Sequence, residues 1–203
     1  MSHPTIGIIT ALSYECVAVE YVLDNATNWA PRSKSALPAR RYVIGTIPAF
    51  GGGVHWIALC QVRAGNNLAG IRASMLKMEF PSIEHMIMVG IAGGAPDPEN
   101  ADRHVRLGDV VVSNAHGVVQ YDFIRDDPTA LEHRHPPRPP SARILDADAA
   151  IERAEARGTA LLEPFLARIL EQSSKWQRPR SETDVLRAYG FLNRFFRRDS
   201  ASK

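Results

Sequence analysis

The chain opens with a short, β-branched apolar run, Thr5-Ile-Gly-Ile-Ile-Thr-Ala-Leu12. A run of this kind without alternation predicts a strand buried on both faces and central in its sheet. Ser13 follows as a candidate helix N-cap, and Leu12, Cys16, Val19 and Leu23 recur at spacings of 4, 3 and 4, one face of an amphipathic helix. Residues 25–40, with Pro31, Pro38 and two serines, predict a surface loop. Two strand-like runs, Arg41 to Phe50 and Val54 to Val62, then flank Gly51-Gly52-Gly53, the pattern of a hairpin with a permissive turn. The glycine tripeptide reads as a turn rather than a phosphate cradle. From Asn66 the apolar positions Leu68, Ile71, Met75 and Met78 return to helical spacing until Pro81 stops it. Met86 to Gly94 predicts a second buried strand with a glycine-rich exit, and Val110–Val112 and Val118–Phe123 predict two more. Residues 126–141 contain five prolines and predict a long mobile loop, and Ile144–Arg157 and Thr159–Ser173 predict two helices. This alternation of strands and helices is an α/β pattern, with a mainly parallel or mixed sheet and helices on both faces.

Composition narrows the class. With 203 residues, 45% hydrophobic and 23% charged, the chain suits one domain of good size or two small ones, and it can bury a core without disulfides or metals. Its longest apolar runs are far short of the roughly 20 residues of a membrane-spanning helix, and Met-Ser-His-Pro is not a signal-peptide start. Cys16 and Cys60 are far apart with no CxxC spacing, so a reducing cytoplasm is expected. The formal net charge of +2 hides an asymmetry: residues 187–203 hold five basic side chains and one acid, which leaves 19 basic against 21 acidic in residues 1–186. A slightly acidic body disfavours nucleic acid as a partner, since backbone binding needs clustered Lys and Arg on an ordered surface. The seven histidines show no metal-ligand spacing, and neither GxGxxG nor GxxxxGK[ST] occurs. No cofactor and no metal are expected.

Several residues have chemistry suited to a site. The exit Val89-Gly-Ile-Ala-Gly-Gly94 lets backbone approach a ligand, because glycine lacks a Cβ and its amides can line an anion or sugar site; a tight strand exit alone would also need these glycines. Arg63 and Asn66 flank Gly65 between a strand end and a helix start, where anions are met, and serve equally as turn and N-cap residues. Gln120, Tyr121 and Asp122 end a strand, where open α/β sheets place ligands. Asp109 is expected to hold the turn before Val110, and Trp176 to pack as an ordinary aromatic.

Val89-Gly-Ile-Ala-Gly-Gly94, Arg106-Leu-Gly-Asp-Val-Val-Val-Ser113 and Gly117-Val-Val-Gln-Tyr-Asp122 together resemble the nucleoside phosphorylase and nucleosidase superfamily. The branch most like it is the effector domain of fungal NLR-type and bacterial defence proteins. Ile8-Ile-Thr-Ala-Leu-Ser-Tyr-Glu15 is similar to that family's first strand and helix start, and Lys175 to Leu186 to a later segment, so five matches stand in order over residues 5–186. The resemblance implies a three-layer αβα sandwich with a central mixed sheet, and cleavage of the N-glycosidic bond between a purine and ribose in a nucleoside or nucleotide. It makes Glu15 the group that positions the attacking water, although an acid in a first helical turn is also favoured by the helix dipole alone. It places Ala11, Arg63, Asn66, Gly90, Ile91, Ala92, Gly93, Gln120, Tyr121 and Asp122 against the substrate. Many phosphorylases have a phosphate-binding serine where this chain has Ile91, whose side chain donates no hydrogen bond. Hydrolysis is therefore expected over phosphorolysis, with Arg63 keeping the latter open.

The resemblance ends at Leu186. Complete members go on to a glutamate segment that binds the ribose hydroxyls and an aspartate that protonates the purine, and neither is found in residues 187–203. Residues 1–186 are thus expected to be a phosphorylase-like domain incomplete at its C-terminus, and 187–203 a basic tail. An open sheet edge would follow, which a homo-oligomer or partner could cover. A catalytically inactive nucleotide-binding or interaction fragment is the second expectation.

Overall fold

The computed structural model describes residues 3–29, 42–63, 65–100, 104–115, 117, 124–127, 130–133, 139–172, 177, 179–180 and 182. Two compact units emerge, Met1–Ala92 with Pro164–Trp176, and Gly93–Glu163 with Gln177–Lys203. The first holds a five-stranded mixed sheet.

The apolar opening becomes strand β1 (Ile6–Thr10), which has a parallel neighbour on each side, as its continuous burial predicts. Helix α1 (Ser13–Val22) follows, then β2 (Asp24–Trp29), the hairpin β3 (Tyr42–Pro48) and β4 (Val54–Gln61), helix α2 (Asn66–Glu79) and β5 (His85–Met88). The sheet order is β2-β3-β4-β1-β5, with β3 antiparallel to both of its neighbours. Two parallel crossovers therefore leave the middle of the sheet in opposite directions, β1 to β2 through α1 and β4 to β5 through α2. Because such crossovers are right-handed, opposite directions put the two helices on opposite faces. The core agrees. Cys16 and Val19 of α1 pack with Ile8, Ile57 and Leu59, whereas Leu76 of α2 packs with Ile9, Ala58 and Cys60, the alternate residues of the same strands. These are the three layers expected from the sequence.

The turn between β3 and β4 closes with Ala49 N–H donating to the Gly53 carbonyl at 3.0 Å. Gly51, Gly52 and Gly53 have φ of 87°, 105° and 81°, a left-handed run that only glycine adopts without strain. The tripeptide is a turn.

Other elements depart from the sequence pattern. Leu12, not Ser13, is the N-cap residue of α1. Residues 25–29, expected within a loop, belong with Asp24 to the edge strand β2, whose polar side chains hide it because backbone pairing to β3 rather than burial holds it. The ring of Trp29 sits 4.8 Å from that of Phe80 and 5.9 Å from that of Tyr42. Of the expected stripe on α2, Leu68, Ile71 and Met78 are exposed and Met75 is half-buried, and the helix instead buries Leu76, with Ala73 and Phe80 beside it. Strand β5 pairs with β1 on one side among the described residues, so Ile87 and Met88 are exposed rather than buried. At the other end of the first unit, Arg168 binds the Asp24 carboxylate and the Val22 carbonyl.

In the second unit, residues 110–112 show no strand pairing and their valines are exposed. Asp109 does hold its turn: one carboxylate oxygen accepts the Arg106 N–H at 3.0 Å. Part of the expected loop 126–141 is a hairpin of β6 (Ile124–Asp127) and β7 (Ala130–His133). Helix α3 (Ala142–Ala156) lies in this unit, and α4 (Glu163–Gln172) falls mainly in the first. No helix among the described residues is long and apolar enough to cross a membrane.

Gly70 offers a stability test. A Cβ there meets nothing within 4 Å, and the residue lies inside α2 at ordinary φ. Gly70→Ala is expected to stabilise the chain by about 0.5–1 kcal/mol through helix propensity. A raised denaturant midpoint at unchanged slope is the measurement.

Candidate functional site

The two crossovers diverge between β1 and β4, and in open α/β sheets the ligand crevice lies outside the carboxyl ends of the strands at such a divergence. The carboxyl ends of β1 and β4 are joined there by Val62 N–H donating to the Thr10 carbonyl at 2.8 Å. Gln61 Nε2 donates to Ser13 Oγ at 3.1 Å, tying the end of β4 to the start of α1. Beyond β5 the backbone continues alongside β1, with Val89 N–H on the Ile9 carbonyl at 2.9 Å. Three chain segments thus reach one edge of the sheet: 10–15, 61–63 with 65–66, and 88–92.

Glu15 joins the first of these to the third. Sitting at the third position of α1, it reaches back so that Oε2 accepts the N–H groups of Ala11 at 2.8 Å and Leu12 at 2.7 Å. This is the acid's half of a capping box; leucine at the cap has no side-chain oxygen to supply the other half. Oε1 accepts the Ile91 N–H at 2.8 Å, across 76 residues of sequence. Glu15 is only 7% exposed. Burial pushes its carboxyl up, but the amides of Ile91, Leu12 and Ala11 together outweigh it, and the group is held below the usual carboxylate range. At neutral pH it is a buried anion, held among the described residues by backbone N–H groups.

Gly90 is fitted to this anion. A Cβ on it would lie 3.2 Å from Oε1 of Glu15. Ile91 follows, its side chain 75% exposed, and Ala92 is exposed too. Arg63, just past β4, and Asn66, the first residue of α2, are both exposed. Gly93 opens the second unit, and a Cβ there would meet nothing within 4 Å. Gln120, Tyr121, Asp122 and Trp176 lie outside the described residues.

The amide seat is what the sequence reading missed. An acid three residues after the cap position Leu12 was its available trace, half of a capping-box signature. Neither thiol competes as a nucleophile. Cys16 and Cys60 are buried and unbridged, and burial pushes Cys16 up and Cys60 to about 11, so both stay protonated at neutral pH. Among the described residues no group of three His, Cys, Asp or Glu side chains is gathered for a metal.

Comparison with known proteins places this architecture. The chain is similar to a solved protein of Borrelia burgdorferi B31 described as a 5′-methylthioadenosine/S-adenosylhomocysteine nucleosidase and bound to adenine. The match has 20% identity and a TM-score of 0.52, and covers 74% of this chain and 59% of the other. That likeness shows the fold. A nucleotide-binding leucine-rich repeat (NLR)-like protein of Hyaloscypha variabilis (strain UAMH 11265 / GT02V1 / F) is 28% identical over 188 residues, 90% of this chain. The chain spans only 18% of that relative's length. Residues 5–168 match the model of the phosphorylase superfamily, and the chain belongs to that superfamily.

Proposed function

We propose that this chain cleaves the N-glycosidic bond between a purine and ribose in a nucleoside or nucleotide, with water as the nucleophile. The observation that carries the reading is the Glu15 carboxylate, buried, anionic and fixed by three amides at the carboxyl edge of the sheet beside Gly90 and Ile91. Departure of the purine leaves an oxocarbenium-like carbon at C1′, and such a carbon needs a water held in line more than a strong base. A carboxylate held below its usual range suits this task. It orients the water from the ground state onward and takes the proton only as the new C–O bond forms. The glycosidic electron pair leaves with the base, which takes a proton from solvent. The products are the free base and ribose or its phosphate ester.

Ile91 supports hydrolysis over phosphorolysis, since its exposed side chain offers no hydrogen bond to phosphate. The adenine held by the Borrelia protein supports a purine leaving group. Likeness to part of a much longer NLR-like protein supports a role as the effector portion of a defence receptor.

The test is chromatographic detection of free adenine or guanine from nucleosides and ATP, with and without inorganic phosphate. Release without phosphate is expected. Release that requires phosphate would transfer the reading to phosphorolysis with Arg63 as the anion ligand. Purine binding by calorimetry with no release would leave a nucleotide-binding module.

A further inference from the structure

Helix α4 joins the first unit without joining its core. Among the described residues, neither core cluster contains a residue of α4, as a member or as a packed neighbour, and no residue of the helix is buried. Its apolar side chains Phe165, Leu166, Ile169 and Leu170 recur at spacings of 1, 3 and 1, so they share one side of the helix. Phe165 and Ile169 are half-buried, whereas Leu166 and Leu170 are exposed. What ties α4 down among the described residues is polar. The Arg168 guanidinium spans two groups at the end of α1, with Nη1 on the Asp24 carboxylate and Nη2 on the Val22 carbonyl, and it lies 5.8 Å from the centre of the Phe165 ring. Helix α1 has no basic residue in its last turn, so Arg168 brings a cation to the carboxyl end, where the final carbonyls lack partners within the helix.

We infer that α4 is a detachable strap with Arg168 as its latch: the helix docks on the end of α1 through one guanidinium and comes away as a unit when that contact is broken. Burial in a shared core would tie release of the helix to unfolding of the sheet, and α4 lacks that tie. Its docking follows instead an ion pair whose two side chains are 30% and 37% exposed. Pairs so exposed are weak and are screened by salt. Segments with few buried contacts open separately from the rest of a protein, so the strap can lift while β1 and β4 stay closed. Release uncovers Phe165 and Ile169 beside Leu166 and Leu170 as one continuous apolar side, and returns Asp24 and the Val22 carbonyl to water.

Hydrogen exchange of the full chain, followed by mass spectrometry, tests this on wild type, Arg168→Ala and Asp24→Asn. In Arg168→Ala the amides of residues 163–172 are expected to exchange about tenfold faster, the scale of one lost hydrogen-bonded charge, with those of β1 and β4 unchanged. Asp24→Asn keeps the Val22 contact and is expected to give a smaller rise, about threefold. Raising sodium chloride from about 0.05 M to about 1 M should speed exchange in 163–172 of the wild type and leave Arg168→Ala unmoved. The salt arm on wild type needs no variant, and it decides the matter if Arg168→Ala does not fold. Exchange in 163–172 that is indifferent to the substitution or to salt overturns the inference, because other contacts then hold α4. Exchange that rises in step with β1 and β4 overturns it too, because the helix then opens only with the core.

Discussion

Glu15→Gln is expected to lower base release by at least 100-fold, the largest effect on activity anticipated for any single substitution here. The change keeps the size of the side chain and removes its charge. Glutamine has one acceptor oxygen, and its NH₂ group would face an N–H that now donates to Glu15, either that of Ile91 or those of Ala11 and Leu12. The water thus loses its anionic acceptor, a contribution of about 10²–10⁴ in rate. Leaving part-buried N–H groups without an acceptor should also destabilise the chain, by about 1 kcal/mol. The dependence on pH has a definite sign. Burial raises the carboxyl and the three amides lower it further, so the folded-state value lies below the unfolded one. Stability from this group is therefore complete above its ordinary pKa and is lost as pH falls through the depressed folded value. The stability gap between wild type and Glu15→Gln should be widest at neutral pH and narrow in acid, as read from denaturant midpoints at both. The acidic limb of kcat/KM in the wild type should lie below the usual carboxylate range. A gap that widens on acidification, or base release preserved in the variant, would remove Glu15 from the role.

Much of the first unit was legible because burial wrote it into the side chains. Strand β1, helix α1, the β3–β4 hairpin and the extent of α2 all follow from apolar spacing and glycine placement. Where backbone pairing does the holding, the sequence is silent. Strand β2 is Asp-Asn-Ala-Thr-Asn-Trp, and its place at the sheet edge depends on ladder bonds that any residues could make. Helix α2 misled differently, because it carries two apolar series. The larger residues of one, Leu68, Ile71 and Met78, face solvent, and the series with Ala73 and Leu76 packs on the sheet, where small residues allow close approach. The site follows the same division. Glu15 could be singled out from its position after the first strand and from the family resemblance. Its seat could not, since the donors are backbone amides and no side chain announces them.

The packing of α2 against β1 yields the largest expected effect on stability. Leu76 has no exposed surface, and its Cδ2 lies 3.0 Å from where a Cβ on Gly7 would stand, with the Met86 Sδ at 2.7 Å on the same side. Leu76→Ala removes a fully buried side chain at the centre of the cluster with Ile9, Ala58 and Cys60, and is expected to cost about 2–5 kcal/mol, the range for transfer plus residual cavity. Gly7→Ala alone forces a methyl into occupied space and is expected to cost about 1–3 kcal/mol. The two changes should not add. Once Leu76 is truncated, the atom at 3.0 Å is gone and the flexible Met86 thioether has room to move, so the new methyl fills part of the cavity instead of straining it. A coupling of about 1 kcal/mol or more in favour of the double variant is expected, within the range found for contacting residues. Urea unfolding followed by tryptophan emission suits the measurement, because Trp29 and Trp56 pack against this cluster. Losses that add to within about 0.3 kcal/mol would mean that Gly7 and Leu76 do not share the space assigned to them, and that the fit of α2 to the sheet is set elsewhere.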